Sequence, residues 1–306
     1  MISFVIVNYN TFGPTADCVK SIFERMQGQE VEVIVVDNAS TDGSREGFAA
    51  MQRPGFKYIY NDQNLGFGVA CNIGARAATG KYIFLINSDA YLLSPLTEAR
   101  IDALFAAAPS AGILAPRVTF PDGREQVTTG NYSGLSDVLL RLLRLGTLYR
   151  RYKWVRTLSG ALPFKPRNVS AYVQQTTSVS PARDVDWASG CALIMTRATY
   201  ERVGGFDEGY FLYSEDEDLC LRVARLGLRT RFTPELQVEH VLGGSGSPES
   251  RFITHCKLDG WERLFARRLP AKRLQLRLVY LAAGLMLAPF SPRGRVVLGW
   301  LWTRKS

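Results

Sequence analysis

The sequence predicts an α/β domain built on a mostly parallel sheet with helices on both faces. Three observations carry this. Val- and Ile-rich runs alternate with helical stretches through the first hundred residues. The runs are almost continuously apolar, as in strands buried on both sides. Each run ends in polar residues, and open α/β sheets bind ligands beyond the carboxyl ends of their strands.

The elements follow in order. Residues 2–8, ISFVIVN, read as the first strand, and the lack of a basic leader or cleavage site argues against a signal peptide. A helix should follow Pro14 and end near Gly28. Residues 31–37 are a second strand, and Ser40 or Asp42 is placed to cap the next helix. Residues 57–60 and 81–87 are the third and fourth strands, with a helix over about 67–78 between them. The strand ends carry Asn8-Tyr9-Asn10, Asp37-Asn38, Asn61-Asp62 and Asn87-Ser88-Asp89. No GxGxxG follows the first strand and no GxxxxGK[ST] occurs, which disfavours dinucleotide dehydrogenases and P-loop enzymes. Later, residues 184–197 hold another apolar strand, and residues 227–241 read as two short strands ending at His240.

The chain has 306 residues, of which 46% are apolar, enough for one large domain with an appendage. Five dispersed cysteines without a CxxC pair argue for a reducing compartment and against a disulfide framework or a zinc site. Charge is uneven. Residues 251–306 carry 12 Lys/Arg against 2 Asp/Glu, whereas the rest is nearly neutral with 25 against 26. A second basic stretch, residues 138–183, has nine Lys/Arg and no acid. Such patches suit nucleic acid, anionic lipid or phosphate-bearing substrates, or are merely solvated surface. The longest uncharged run of the tail, residues 278–290, makes about 20 Å of helix, too short for a ~30 Å hydrocarbon core. VVLGWLW, with Trp300 and Trp302 between Arg295 and Arg304, reads as interfacial; a core helix is the alternative.

FLYSEDEDLCLR places four carboxylates in a row, Glu215 to Asp218. An acidic helix start explains part of this. Ser214 and Glu217 are spaced as a capping box, and Asp218 and Arg222 as a surface pair. Asp216 has neither task. By helical geometry it shares a face with Leu219, Cys220 and Val223, pointing inward. It is therefore the candidate proton acceptor. Asp89, ending a strand, suits a hard cation whose remaining ligands come from water and a substrate diphosphate. His240 ends a strand before a Gly/Ser loop and is either structural or a ligand. Together these parts suit displacement at a carbon bearing a nucleotide diphosphate. A nucleotidyltransferase would want a glycine-rich basic loop after the first strand, which NYNTFGPTADC lacks, and a non-catalytic membrane-binding protein would not need Asp216.

VIVNYN, VVDNASTDGS, NLGFGVACNIGA, FLINSDA, WASGCALIMTR, GGFDEGYFLYSEDEDLCLR and VEH occur in this order over residues 1–245. The chain resembles the family 2 glycosyltransferases, and within them the rhamnosyltransferase-like branch that builds bacterial surface polysaccharides. The resemblance implies the GT-A fold over residues 1–248, with 138–183 as a basic insertion on the acceptor or membrane side and 249–306 as a helical, basic and amphipathic tail. It implies inverting transfer of a hexose from a nucleoside diphosphate sugar, rhamnose from dTDP-rhamnose, to a lipid-diphosphate-linked glycan. Other hexosyl or galactofuranosyl transfers remain open. Asp37 would contact the base, with Tyr9 nearby, and Gly66 and Asn72 would border the donor. Asn87 and Asp89 occupy the DxD position, with Asn87 where the family has its first acid. Asp89 and His240 would hold Mg²⁺ or Mn²⁺. Asp216 would be the catalytic base, and Trp187 and Gly190 would line the acceptor side. It also implies a bacterial cytoplasmic enzyme, peripheral on the anionic inner face of the cell membrane, with no nucleic-acid partner.

Overall fold

The computed structural model describes residues 1–26, 28–144, 180–241 and 250–303. They fall into two compact units, and much of the basic stretch 138–183 and the whole Gly/Ser loop after Val241 lie outside the described residues.

The first unit takes residues 1–129, 180–211 and 215–241. Its chain runs β1 (Ile2–Asn8), α1 (Phe12–Arg25), β2 (Val31–Asp37), α2 (Ser44–Ala49), β3 (Phe56–Tyr60), α3 (Phe67–Ala77), β4 (Tyr82–Ile86), β5 (Ala90–Leu92), α4 (Glu98–Ala107) and β6 (Ala111–Thr119). After the gap come β7 (Arg183–Val185), β8 (Ala192–Thr196), α6 (Arg197–Val203), α7 (Glu215–Arg225) and β9 (Arg229–His240). The sheet order is β3-β2-β1-β4-β8-β6-β9-β5, with β7 also on β9. Pairing is parallel from β3 to β4 and between β6 and β9. β8 is antiparallel to both its neighbours, as are β5 and β7 to β9.

Both faces of the sheet are covered. Ile2, Phe4 and Ile6 of β1 pack with Cys18, Val19 and Ile22 of α1. Val5, one residue out of step, packs on the other face with Ala70 and Cys71 of α3 and Leu219 and Val223 of α7. That is the period-2 alternation of a strand with two dry sides. All five cysteines are buried free thiols.

Residues 227–241 form one strand, not two. β9 runs unbroken from Arg229 to His240, and its register on β6 shifts between Thr233 and Gln237. Pro234 lies in that gap; it has no N–H to give the ladder, so the strand bulges rather than ends. In parallel register Asn8 stands beside Asp37, and Asp37 beside Tyr60, so three strand ends finish in one row.

The second unit takes residues 130–144, 212–214 and 250–303. It holds α5 (Leu135–Leu142), α8 (Arg251–Arg268), α9 (Arg273–Leu287) and α10 (Pro292–Thr303). Val138 and Leu142 of α5 share a core with Leu258, Trp261, Tyr280 and Trp300. Trp300 is therefore not interfacial as its setting beside Arg295 and Arg304 suggested. It is 1% exposed, stands edge-on to Tyr280 and donates its indole N–H to Asp259 at 2.8 Å. Trp302, by contrast, is 72% exposed. Among the described residues no helix is long and apolar enough to cross a membrane.

Candidate active site

The loops leaving β1, β2 and β3 are stitched together by amides and carboxylates. Asp37 is fully buried; its Oδ2 accepts from Asn8 Nδ2 at 2.6 Å and its Oδ1 from the Ser40 N–H at 2.7 Å. The second bond needs the chain to turn back at once, and Ala39 does so with a φ of 63°, a conformation unfavourable to any residue with a Cβ. Asn38 Nδ2 donates to the Gly66 carbonyl at 3.1 Å, and Asn61 Nδ2 to Asn38 Oδ1 at 2.9 Å. Tyr9, the residue after β1, is exposed.

Gly66 has a φ of 85°, and a Cβ there would lie 2.3 Å from the Phe211 carbonyl oxygen. Only glycine lets α3 start against this backbone, where the Phe67 N–H donates to Phe211 O at 3.0 Å. Asn72 of α3 is buried, and all its polar atoms bond within the protein. Its Oδ1 accepts from Tyr200 Oη (2.7 Å) and the Phe206 N–H (2.8 Å), and its Nδ2 donates to Phe206 O (3.0 Å) and Glu208 Oε1 (3.1 Å). Asn72 thus holds the loop between α6 and α7 in place.

Asp89 and His240 are 151 residues apart and meet at the ends of β4 and β9. His240 Nε2 is 3.1 Å from Asp89 Oδ1 and 3.5 Å from Asn87 Nδ2. The pairing Val238–Leu92, Glu239–Tyr91 and His240–Ala90 brings the strand ends together. Both side chains are nearly buried. The other imidazole nitrogen is 3.0 Å from Gln126 Oε1, and Gln126 Nε2 donates to the His240 carbonyl at 2.6 Å. Gln126 therefore fixes the ring. It was not legible in the sequence, where it sits in a polar loop without periodicity. Burial, then the Asp89 charge, pushes the Cys18 and Cys191 thiols up, so both are neutral neighbours of this carboxylate.

The acidic run departs from the helical-wheel expectation. Glu215, Glu217 and Asp218 are all buried, and Asp216 alone is partly exposed. The Asp218–Arg222 pair exists at 2.8 Å but is buried, not on the surface. Ser214 has a φ of 71°, not the extended backbone of a serine cap. Asp216 is held by main chain: Oδ2 accepts from the Gly190 N–H at 3.1 Å and Oδ1 from the Glu217 N–H at 2.7 Å. Segment 187–190 lies along α7, with the Ala188 N–H on Cys220 Sγ at 3.4 Å. A Cβ on Gly190 would come 3.0 Å from the Phe67 ring. The next residue, Cys191, accepts from the Asn87 N–H at 2.9 Å. Asp216 is thus joined through two consecutive residues to the strand end bearing Asn87 and Asp89. Trp187 packs half-buried on the core, and its indole N–H makes no hydrogen bond among the described residues.

Glu215 is 5% exposed and its Oε2 makes no hydrogen bond among the described residues. Burial, then the Asp216 charge, pushes its carboxyl up to about 8. An unfolded glutamate releases its proton near pH ~4.3. Between these values the folded chain keeps a proton that the unfolded chain gives up. Stability should therefore fall as pH rises through that window. Glu215→Gln, an uncharged isostere, should match wild type in urea near pH ~4, below the unfolded value, and outlast it at pH ~8. Parallel pH curves for the two proteins would remove this role.

Residues 3–158 match glycosyl transferase family 2, and residues 174–242 match the N-terminal domain of galactosyltransferase. The N-acetylglucosaminyl-diphospho-decaprenol L-rhamnosyltransferase of Mycobacterium tuberculosis is 32% identical over 246 residues, covering 74% of this chain and 72% of its own. The chain belongs to glycosyl transferase family 2. The hexosyltransferase Agl10 of Haloferax volcanii, named for low-salt glycan biosynthesis, is 25% identical to this family 2 enzyme and covers 73% of it and 62% of its own chain. Rhamnosyltransferase WbbL of Escherichia coli is 43% identical over 56 residues, 18% of this enzyme and 21% of its own chain. The fold is GT-A. The mannosyltransferase PcManGT of Pyrobaculum calidifontis, solved with GDP-Man and Mn²⁺, superposes with a TM-score of 0.55 at 17% identity, over 100% of this chain and 76% of that one.

Proposed function

We propose that this glycosyltransferase moves a sugar with inversion from a nucleoside diphosphate donor to a hydroxyl of a lipid-diphosphate-linked glycan. The donor is dTDP-rhamnose, a reading supported by the rhamnosyltransferases among its relatives. The observation that carries it is the position of Asp216. Of the four adjacent carboxylates it alone is partly exposed, and the Gly190 N–H links it to the strand end that bears Asp89.

Asp216 accepts the proton of the acceptor hydroxyl as that oxygen bonds to the anomeric carbon. The bond from that carbon to the diphosphate oxygen breaks on the opposite face. Two main-chain N–H groups fix the carboxylate, so no reorganisation is needed as charge moves. Asp89 and His240, 3.1 Å apart, supply an oxygen and a nitrogen donor. Among the described residues no three His, Cys, Asp or Glu side chains cluster. Two protein ligands suffice for a hard cation whose other positions are filled by phosphate and water. A divalent Mg²⁺ or Mn²⁺ held there would neutralise charge on the diphosphate. The basic second unit suits work at the anionic inner face of a bacterial membrane.

The test is transfer and hydrolysis from a panel of dTDP-, UDP- and GDP-sugars, with and without chelator. dTDP-rhamnose should be turned over fastest, and Asp89→Ala should lose both activity and the response to Mg²⁺ or Mn²⁺. No turnover of any nucleotide sugar would sink the reading, and full speed in excess chelator would sink its metal.

A further inference from the structure

Asp89 and His240 meet across 151 positions, but a third side chain, Gln126, decides which ring nitrogen carries the proton. Its place is built by the chain turning back after β6. The Gln126 N–H donates to the Val118 carbonyl at 2.8 Å, and Glu125 bridges Thr119 in antiparallel fashion. Glu125 Oε2 also lies 3.2 Å from Arg117 Nε in a largely buried ion pair. Val118 and Thr119 stand beside Val238 and Glu239 of β9, so the returning loop sets Gln126 next to His240. Gln126 itself is buried.

The amide can face only one way. Gln126 Nε2 donates to the His240 carbonyl at 2.6 Å and to the Thr119 carbonyl at 3.3 Å, and Oε1 lies 3.0 Å from His240 Nδ1. The opposite orientation would set Oε1 against both carbonyl oxygens with no proton between, leaving buried acceptors unpaired. An amide oxygen accepts and never donates, so Nδ1 carries a proton. In a neutral imidazole the other nitrogen is then bare. Nε2 is 3.1 Å from Asp89 Oδ1, so two lone pairs face each other. Positive charge between them relieves the repulsion, and either a proton or a metal ion supplies it. Asn87 Nδ2 lies 3.5 Å from Nε2, beyond ordinary hydrogen-bond length.

We propose that Gln126 is a positioning residue for the cation: it holds the His240 proton on Nδ1 and so presents Nε2, as an open lone pair, to a cation shared with Asp89. The proposal rests on the reading of a divalent cation at Asp89 and His240 and adds the side chain that prepares the nitrogen ligand. Loss of a group that fixes a ligating histidine in this way weakens metal binding by about 10–100-fold.

The first test reads the proton directly. The chain has two histidines, and His255 is exposed on α8, so His255→Gln leaves one imidazole to observe. Long-range proton–nitrogen NMR spectra of the full-length protein in chelator, at a pH high enough to leave one ring proton, should show it on Nδ1. Gln126→Met should move it to Nε2, where Asp89 can accept it. A proton on Nε2 while Gln126 is present overturns the proposal, and this outcome needs no folded Gln126 variant. So does an unchanged spectrum in Gln126→Met.

The second test reads the cation through the nucleotide. Affinity for dTDP is measured with Mn²⁺ and with chelator. The gain that Mn²⁺ gives wild type should shrink about tenfold or more in Gln126→Met, with the affinity in chelator unchanged. On a His240→Ala background the same substitution should change nothing further, because Gln126 acts through the ring. An equal loss with and without Mn²⁺, or on both backgrounds, would mean a general distortion of the loop and overturns the proposal. No Mn²⁺ effect in wild type refutes the cation reading and with it the role toward a metal, while a proton on Nδ1 would still show the lock on the ring.

Discussion

Asp216→Asn is expected to bind the nucleotide-sugar donor as wild type does and to transfer sugar about 10²–10⁴-fold more slowly, the usual scale for losing a general base. The amide has nearly the shape of the carboxylate. Its oxygen can still accept from the Gly190 or the Glu217 N–H, the two donors that hold Asp216 now. What it lacks is the basicity to take a proton from the attacking hydroxyl. The fall should therefore appear in kcat, while the dissociation constant of the donor and the urea midpoint stay close to wild type. Glu215 and Glu217 cannot substitute, because both are buried. A variant that turns over near the wild-type rate would remove Asp216 from the mechanism.

Some of this was legible in the sequence and some was not. The strand ends were, because a run of Val and Ile that stops at Asn8, Asp37 or Asn87 marks both a buried strand and its wet end. The meeting of Asp89 with His240 came only with the family resemblance. Nothing local in residues 89 and 240 says that β5 and β9 will pair. Gln126 was invisible for the same reason: its two hydrogen bonds to residue 240 are made across 114 positions by a loop without a pattern. The helical wheel chose Asp216 among the four acids but reversed its surroundings. A wheel ranks faces by the residues on the helix itself, whereas α7 is also covered on its polar side, through Arg222 bonding to the carbonyls of Val203 and Gly205. In the tail, one residue departs from its expectation in the same way. Tryptophan beside arginine suits a membrane interface, but α5 and α8 supplied a protein core for Trp300 instead. Composition gave the amphipathic character of α9 and α10, not the partner on each face.

Asp218→Ala should have the opposite phenotype to Asp216→Asn, two residues away. Asp218 is fully buried, with Oδ2 2.8 Å from Arg222 Nε and Oδ1 accepting from Tyr210 Oη at 3.3 Å. Arg222 Nη1 in turn donates to Val203 O at 2.8 Å and Gly205 O at 2.7 Å. The pair therefore fastens α7 to the end of α6 and to the loop that Asn72 also holds. Removing the carboxylate leaves a guanidinium with little exposure and without its counter-ion. Breaking a buried pair from one side costs about 3–5 kcal/mol, against a total stability of about 5–15 kcal/mol for a typical domain. The urea midpoint should drop sharply, and transfer activity should fall in step with the folded fraction rather than ahead of it. Because the penalty is that of a stranded charge, replacing both partners with apolar side chains, as in Asp218→Leu with Arg222→Met, should recover part of the loss. A single variant as stable as wild type would mean that solvent or another group already compensates Arg222. A double variant weaker than the single would mean that the pair's worth lies in the carbonyls it holds, not in its charge.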